Sequence, residues 1–237
     1  MVSGRAKDDV SGILVVDKET GMTSHDVVDL VRRRFGVKKA GHAGTLDPAA
    51  TGVLVILIGS ATRLSQKLSG QDKSYRAVMK LGERTDSGDS EGKIIAEKEV
   101  SVDAERVRKV VESFRGDIEQ IPPMFSAKKI KGKKLYQLAR KGAVVERPPV
   151  KVTINDIGVT EAALPEVEFY VDCGKGTYIR QLADDIGEKL GCGAHLTGLR
   201  RISSGNFHVR DAVSVTELSS MSRERFYESV TGIQESP

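Results

Sequence analysis

Two adjoining segments, Gly41-His-Ala-Gly-Thr-Leu-Asp-Pro-Ala-Ala-Thr-Gly52 and Val53-Leu-Val-Ile-Leu-Ile58, dominate the pattern of this sequence. The second is a run of large apolar residues without polar alternation, which predicts a strand covered on both faces. The first is rich in small residues that let another backbone or a base approach closely, and it predicts a loop. This loop places His42 and Asp47 beside the most buried strand of the chain.

The residues alone leave two interpretations of Asp47 open. Aspartate followed by proline is typical of a helix start, with Asp47 as the N-cap and Pro48 in the first helical position. The alternative is a functional carboxylate in a loop. His42 likewise fits a surface or hydrogen-bonded histidine as well as a functional one.

The rest of the chain shows short strands and helices in irregular order. The patterns predict strands at 12–17, 74–81, 94–100, 150–160, 166–173, 196–202 and 206–209, and helices at 26–35, 61–68, 134–141 and 178–190. Thr23 or Ser24 is the expected cap of the first helix, and a further helix runs from an N-cap at Asp103 to Gly116. This irregular interleaving favours the α+β class with a mixed sheet, in one continuous domain.

Composition excludes several classes of protein. The 237 residues include 37 Lys and Arg, 33 Asp and Glu, and 39% hydrophobic residues, a globular composition and not a disordered or fibrous one. No apolar run approaches the roughly 18 residues of a membrane span, and the N-terminus lacks the apolar region of a signal peptide. Two cysteines, Cys173 and Cys192, are too few for a disulfide framework, so we expect a cytoplasmic protein.

Positive charge is concentrated in two short segments. One holds Arg32, Arg33, Arg34, Lys38 and Lys39; the other holds Lys128, Lys129, Lys131, Lys133 and Lys134. Such clusters neutralise nucleic-acid phosphates, although a solvated basic surface is an equally good interpretation of each. The acidic turn at 85–92 partly offsets them and is expected to be solvated.

Motifs for metals and cofactors are absent from the sequence. The segment 36–42 has the glycine spacing of a P-loop, but His42 stands where a lysine must reach the phosphates. Cys192 and His195 lack a second pair of metal ligands. We therefore expect no metal and no cofactor.

Five segments together resemble the TruB family of tRNA pseudouridine synthases. The most specific is 41–52 itself, and the others follow in the family's order, at 12–24, 73–86, 122–136 and 173–201. The resemblance extends over about residues 12 to 213. It implies the pseudouridine synthase fold, with a mainly antiparallel central sheet flanked by helices and loops.

The resemblance also implies a reaction and roles for residues. Family members isomerise the uridine at position 55 in the T loop of tRNA, after that nucleotide has left its stack. Asp47 matches the catalytic aspartate, acting on C1′, on C6 or through a glycal route, and Arg180 matches the arginine that pairs with it. Tyr75 matches the tyrosine that stacks on the target base. Taken alone, Arg180 fits a helix-surface ion pair and Tyr75 a half-buried strand aromatic.

Further positions match residues that contact RNA. His42 matches the histidine that fills the vacated place in the RNA stack, whereas Tyr178 and Leu199 match residues lining the uracil pocket. Without the family, both would be assigned to core packing. Lys128 to Lys134 match an insertion that closes over the T arm.

Domain organisation and partners complete the expectations. Residues 1–213 are expected to form the catalytic domain, with the basic insertion at 121–142, and 214–237 a short tail with no complete PUA-type domain. The expected partner is the T arm of tRNA, with no membrane, no obligatory protein partner and a monomeric state. Two other functions remain open, namely a non-catalytic RNA-binding module and a relative that depends on a guide RNA.

Overall fold

The computed structural model of the protein describes residues 10–124, 126, 129–130, 132–135 and 145–232. The helices are α1 (Ser24–Phe35), α2 (Ser65–Ser69), α3 (Ala104–Glu112), α4 (Ile179–Leu190), α5 (Val215–Ser220) and α6 (Arg223–Ser229). The strands are β1 (Gly12–Lys18), β2 (Ala40–Ala43), β3 (Thr51–Ile58), β4 (Lys73–Leu81), β5 (Glu83–Thr85), β6 (Ile94–Glu97), β7 (Gly116–Gln120), β8 (Lys129–Ile130), β9 (Lys133–Lys134), β10 (Val150–Ala163), β11 (Glu166–Cys173), β12 (Ala194–Ser204), β13 (Phe207–His208) and β14 (Val213–Ser214).

The chain folds into two compact units. The first unit is Met1–Ser74 together with Arg200–Pro237, and the second unit is Tyr75–Leu199. The chain crosses from one unit to the other within β4 and again within β12.

The first unit is built around β3. Its residues Val53 to Ile58 are fully buried, as the unbroken apolar run predicts. Strand β1 pairs antiparallel with β3 along its whole length, and β2 pairs antiparallel with its second half. Strand β12 joins the first residues of β3 in parallel, and β14 runs parallel to β1, so this sheet is mixed.

Helix α1 packs on this unit through its apolar face. Thr23 caps it in a capping box with Asp26, and Gly36, at φ 72°, ends it. At its C-terminal end the ring of Phe35 stacks on Phe226 of α6, with 3.9 Å between ring centroids. Residues beyond 213 are therefore part of the packing of this unit.

The second unit carries an antiparallel sheet under two helices. Strand β10 pairs with β11 on one side and with β7 on the other. Helices α3 and α4 cover a buried cluster of apolar side chains, among them Met79, Phe169 and Ile186. Strands β5–β6 and β8–β9 form two small hairpins.

Several predicted elements need correction. The segment 41–52 is not all loop, because Ala40–Ala43 pairs with the free side of β3 and places His42 on a strand. The predicted helix 61–68 is a 3-10 helix, Gly59–Leu64, followed by α2.

The ends of α3 and β6 also differ from the prediction, strand β7 was not predicted, and the start of one further helix differs. Helix α3 ends at Glu112, and Gly116, at φ 106°, opens the unpredicted strand β7. Strand β6 stops at Glu97, which pairs with Glu83, the first residue of its antiparallel partner β5. Of the predicted helix 134–141, Lys134 lies in β9, Leu135 is helical, and residues 136–141 lie outside the described part.

The helices and the two cysteines can be described further. Among the described residues, no helix is long and apolar enough to cross a membrane. Cys173 and Cys192 are buried, and neither forms a disulfide.

Candidate functional site

Asp47 lies in the loop between β2 and β3, at the first position of a turn. The Ala50 amide donates to the Asp47 carbonyl at 3.1 Å, and no helix follows. The N-cap interpretation of Asp47 is therefore wrong, because the residues after Asp47 form a turn and not the first turn of a helix. Asp47 is a half-buried residue at the start of a turn.

The residues on each side of Asp47 are anchored to other elements of the first unit. Before it, the Ser24 hydroxyl accepts from the Leu46 amide at 2.9 Å and donates to the Leu46 carbonyl at 3.0 Å. After it, the fully buried Lys18 ammonium donates to the Pro48 carbonyl at 3.1 Å. Lys18 and Ser24 both belong to the segment 12–24, and they hold the loop on both sides of Asp47.

A third anchor comes from Arg201, whose side chain is 1% exposed. Its guanidinium donates to the Val53 carbonyl at 2.6 Å, the Gly44 carbonyl at 3.1 Å and the Thr45 carbonyl at 3.5 Å. Sequence reasoning placed Arg201 in a motif without giving it a role. The available signal was a pair of arginines, Arg200 and Arg201, directly after the predicted pocket residue Leu199.

His42 lies on β2 with its ring half-buried. Within the described part of the chain, its buried Nδ1 atom has no hydrogen-bond partner. Burial, followed by the charge of Arg201, lowers the pKa of His42 below its usual value. The ring is therefore neutral near pH 7, which suits a group that stacks beside bases.

Arg180 lies in the first turn of α4 in the second unit and is 7% exposed. One of its guanidinium nitrogens, Nη1, donates to the Ser87 carbonyl at 2.9 Å and lies 3.4 Å from the Asp89 carboxylate. The helix-surface interpretation of Arg180 is wrong, because the side chain and this ion pair are buried.

The acidic turn at 85–92 is the partner of Arg180 and not merely a solvated loop. The Thr85 hydroxyl donates to the Asp89 carbonyl at 2.7 Å, and the Ser87 hydroxyl donates to the Asp89 carboxylate at 2.5 Å. These bonds orient Asp89 toward α4. Sequence reasoning missed this role because the spacing of the carboxylates matches no ligand motif.

A second ion pair joins β5 to α4. Arg84 donates to both carboxylate oxygens of Asp184, at 2.7 and 2.9 Å. Such a bidentate pair fixes direction as well as distance. The strand that leads into the acidic turn is thus tied to the helix that carries Arg180.

Tyr75, Leu199 and Tyr178 lie in the second unit. Tyr75, on β4, is 8% exposed and belongs to the buried apolar cluster, and Leu199 packs against the same cluster. Tyr178 is the half-buried residue before α4, and its amide and carbonyl both bond the side chain of buried Gln120, at 3.1 and 3.3 Å. The structure brings Tyr75 and Leu199 into one cluster, so Tyr75 is buried and not half-buried.

The basic clusters are described only in part. Arg32, Arg33 and Arg34 are exposed in the last turn of α1, with Arg32 3.5 Å from Asp29. Lys38 and Lys39 are exposed just before β2. Lys129, Lys133 and Lys134 lie in the β8–β9 hairpin; their side chains, and Lys128 and Lys131 entirely, lie outside the described residues. No group of three metal-ligating side chains occurs in the described ranges.

Comparison with known families gives a consistent result along the chain. The model described as TruB family pseudouridylate synthase (N terminal domain) matches residues 32–179. The model described as tRNA pseudouridylate synthase B C-terminal domain matches residues 180–230.

Curated relatives and solved structures agree. The tRNA pseudouridine synthase B of Syntrophotalea carbinolica is 50% identical over 91% of this chain and 71% of its own. The protein of the same name from Salmonella typhimurium is 46% identical over 90% of this chain and 68% of its own. A crystal structure of a Cbf5-Nop10-Gar1 complex contains a chain 31% identical with a TM-score of 0.73, and the present chain covers 60% of it. The chain therefore belongs to the TruB family of pseudouridylate synthases.

Proposed function

We propose that the chain isomerises the uridine at position 55, in the T loop of tRNA, to pseudouridine, with Asp47 as the catalytic carboxylate. The observation that carries this proposal is the anchoring of the turn that contains Asp47. Asp47 sits in a turn anchored on both sides by Ser24 and Lys18, and it is not used as a helix cap. A backbone anchored on both sides holds an aspartate in a defined place, and such positioning favours reaction.

The reaction needs no co-reactant. The bond between N1 and C1′ breaks, a bond between C5 and C1′ forms, C5 releases its proton and N1 gains one. Substrate and product are therefore isomers. A carboxylate can add to C1′ or to C6, or remove a sugar proton on a glycal route, and each route divides one difficult step into easier ones.

Arg180 is the proposed catalytic cation. Ser87 and Asp89 hold its buried guanidinium in a fixed orientation within the second unit, and this positioning supports the role. The pairing of Arg180 with Asp47 that the family resemblance implies stays a prediction.

Four other residues have proposed roles toward the substrate. Tyr75 stacks on the target base and assists removal of the C5 proton, and Tyr178 and Leu199 line the uracil pocket. His42, neutral because of its lowered pKa, fills the gap left when the nucleotide flips out.

The basic clusters are proposed to meet RNA phosphates. Lys128, Lys129, Lys131, Lys133 and Lys134 would close over the T arm, within a catalytic domain of residues 1–213. Arg32 to Lys39 would add phosphate contacts, which release counterions on binding. We place the enzyme in the cytoplasm as a monomer that needs neither cofactor nor protein partner.

The test uses the T-arm hairpin alone, without a guide RNA or added protein. After incubation, the RNA is digested to nucleosides and separated by chromatography. Pseudouridine at the position of the target uridine is the expected product. Binding of the hairpin without product would favour the non-catalytic RNA-binding module. Product only after a guide RNA is supplied would favour the guide-dependent relative.

A further inference from the structure

Arg201 is a buried charge whose partners are all peptide carbonyls. Its side chain is 1% exposed, and within the described ranges it pairs with no carboxylate. Burying a guanidinium is costly unless its donors are satisfied, and an apolar residue would fill the same space without that cost. The reason for an arginine at this buried position must therefore lie in the segments that its hydrogen bonds connect.

Those bonds join the two ends of the loop that carries Asp47. Gly44 and Thr45 lie where the chain leaves β2, and Val53 lies where it has entered β3. One guanidinium contacts all three carbonyls and so closes the loop across its base. Asp47 lies in the segment between these anchored ends.

Glycine at position 52 lets the backbone of Arg201 reach this place. Arg201 pairs with Gly52 in the parallel β3–β12 join. A Cβ atom on Gly52 would lie 2.2 Å from the Arg201 carbonyl oxygen, and Gly52 has φ 99°. The glycine that ends the loop motif thus accommodates the arginine that anchors the loop.

A lysine could not make the same set of bonds. The Nε atom of Arg201 bonds Val53, while its Nη1 and Nη2 atoms bond Thr45 and Gly44, so the planar fork is used in two directions. A lysine ammonium is a single point at the end of a flexible stem. Retaining the charge alone would preserve only part of the anchor.

We propose that Arg201 is a positioning residue for catalysis, which holds the loop of residues 44–52 and thereby sets the place of the Asp47 carboxylate. The proposal rests on the proposed function, in which Asp47 is catalytic. Misplacement of a reacting group by about 1 Å costs on the order of a hundred-fold in rate. Loss of the anchor should therefore reduce the chemical step far more than RNA binding.

The test compares Arg201→Met, Arg201→Lys and the control Phe226→Leu. Phe226 stacks on Phe35, at the opposite end of α1 from Ser24, so the control perturbs the same unit away from the loop. Three quantities are measured equally far below each variant's Tm. They are hydrogen exchange at the Leu46 and Ala50 amides, affinity for the T-arm hairpin, and the single-turnover rate of tritium release from uridine labelled at C5.

For Arg201→Met we expect exchange at both amides to rise at least about ten-fold over the control, and the rate to fall about a hundred-fold. Affinity should change less than about three-fold, because phosphate contacts dominate RNA binding. The exchange and the rate of Arg201→Lys should lie between those of the wild type and of Arg201→Met. If Arg201→Met does not fold, Arg201→Lys tests the proposal in its place.

The proposal would be overturned if the Arg201 variants had the same amide exchange and the same rate as Phe226→Leu. It would also be overturned if they lost rate and RNA affinity by the same factor. If the wild type releases no tritium, the proposed function fails. The exchange of Leu46 and Ala50 would still decide whether Arg201 anchors the loop.

Discussion

The role of a single residue in this chain depends on its surroundings in the fold, which its position in the sequence does not disclose. Asp47 could not be separated from a helix cap in the sequence, because caps and functional carboxylates share the Asp-Pro pattern. Arg201 lies two positions after the predicted pocket residue Leu199, yet only its burial and its three carbonyl partners show that it anchors the loop. The candidate residues could be picked out in the sequence, whereas hydrogen-bond partners between 22 and 157 positions apart could not be predicted.

Asp184 and Asp185 on α4 show this contrast in a testable form. Burial, together with the charges of Asp184 and Glu188, raises the pKa of Asp185 from 3.8 to about 6. A raised carboxyl pKa means that the folded state binds protons more tightly than the unfolded state. The charge of Asp185 therefore destabilises the fold above about pH 6, and this effect disappears below about pH 4.

We predict that Asp185→Asn raises the free energy of unfolding at pH 7.5 and leaves it unchanged near pH 4. After allowance for solvent screening of this partly buried group, the gain is about 1 kcal/mol. Asp184→Asn is the matched control, because it breaks the bidentate pair with Arg84 and should cost about 1 kcal/mol. Urea titrations at both pH values measure the two changes. A loss of stability for Asp185→Asn at pH 7.5 would contradict the argument.

At the scale of elements, long apolar patterns were predictable and short pairing strands were not. The buried run of β3 and the capped helix α1 appear close to their predicted places, since six to twelve residues of pattern specify each. Strand β2 was missed because Ala40–Ala43 has no alternation, and its strand form comes from pairing with β3. Strand β7 was missed for the same reason, as pairing with β10 defines it.

The close contact between the backbones of Gly52 on β3 and Arg201 on β12 predicts the effect of a side chain at position 52. Gly52 and Gly116 both have positive φ, 99° and 106°, but a Cβ on Gly52 meets the Arg201 backbone whereas one on Gly116 has nothing within 4 Å. Gly116→Ala should cost about 1–2 kcal/mol through backbone strain alone. Gly52→Ala should cost at least about 2 kcal/mol more, because β3 and β12 must separate. Thermal unfolding of both variants measures the difference, and equal costs would show that the close approach is not as described.

At the scale of the whole chain, the family could be recognised from ordered motifs while the mechanism could not. The five motifs predicted membership, and the family matches over residues 32–179 and 180–230 confirm it. The proposed functional residues are divided between the two units, with Asp47 and His42 in the first and Tyr75 and Arg180 in the second. Residue roles depend on geometry that no motif specifies, which leaves them as predictions.

The central claim is that the Asp47 carboxylate performs the isomerisation. The most direct measurement is single-turnover tritium release from a T-arm hairpin labelled at C5 of the target uridine, with hairpin affinity measured in parallel. The wild type and the control Asp211→Asn, which alters an exposed carboxylate of the first unit, should release tritium equally fast. Asp47→Asn should bind the hairpin within about three-fold of the wild type and lose at least about a thousand-fold in rate. Release by Asp47→Asn at the rate of the wild type would contradict the account.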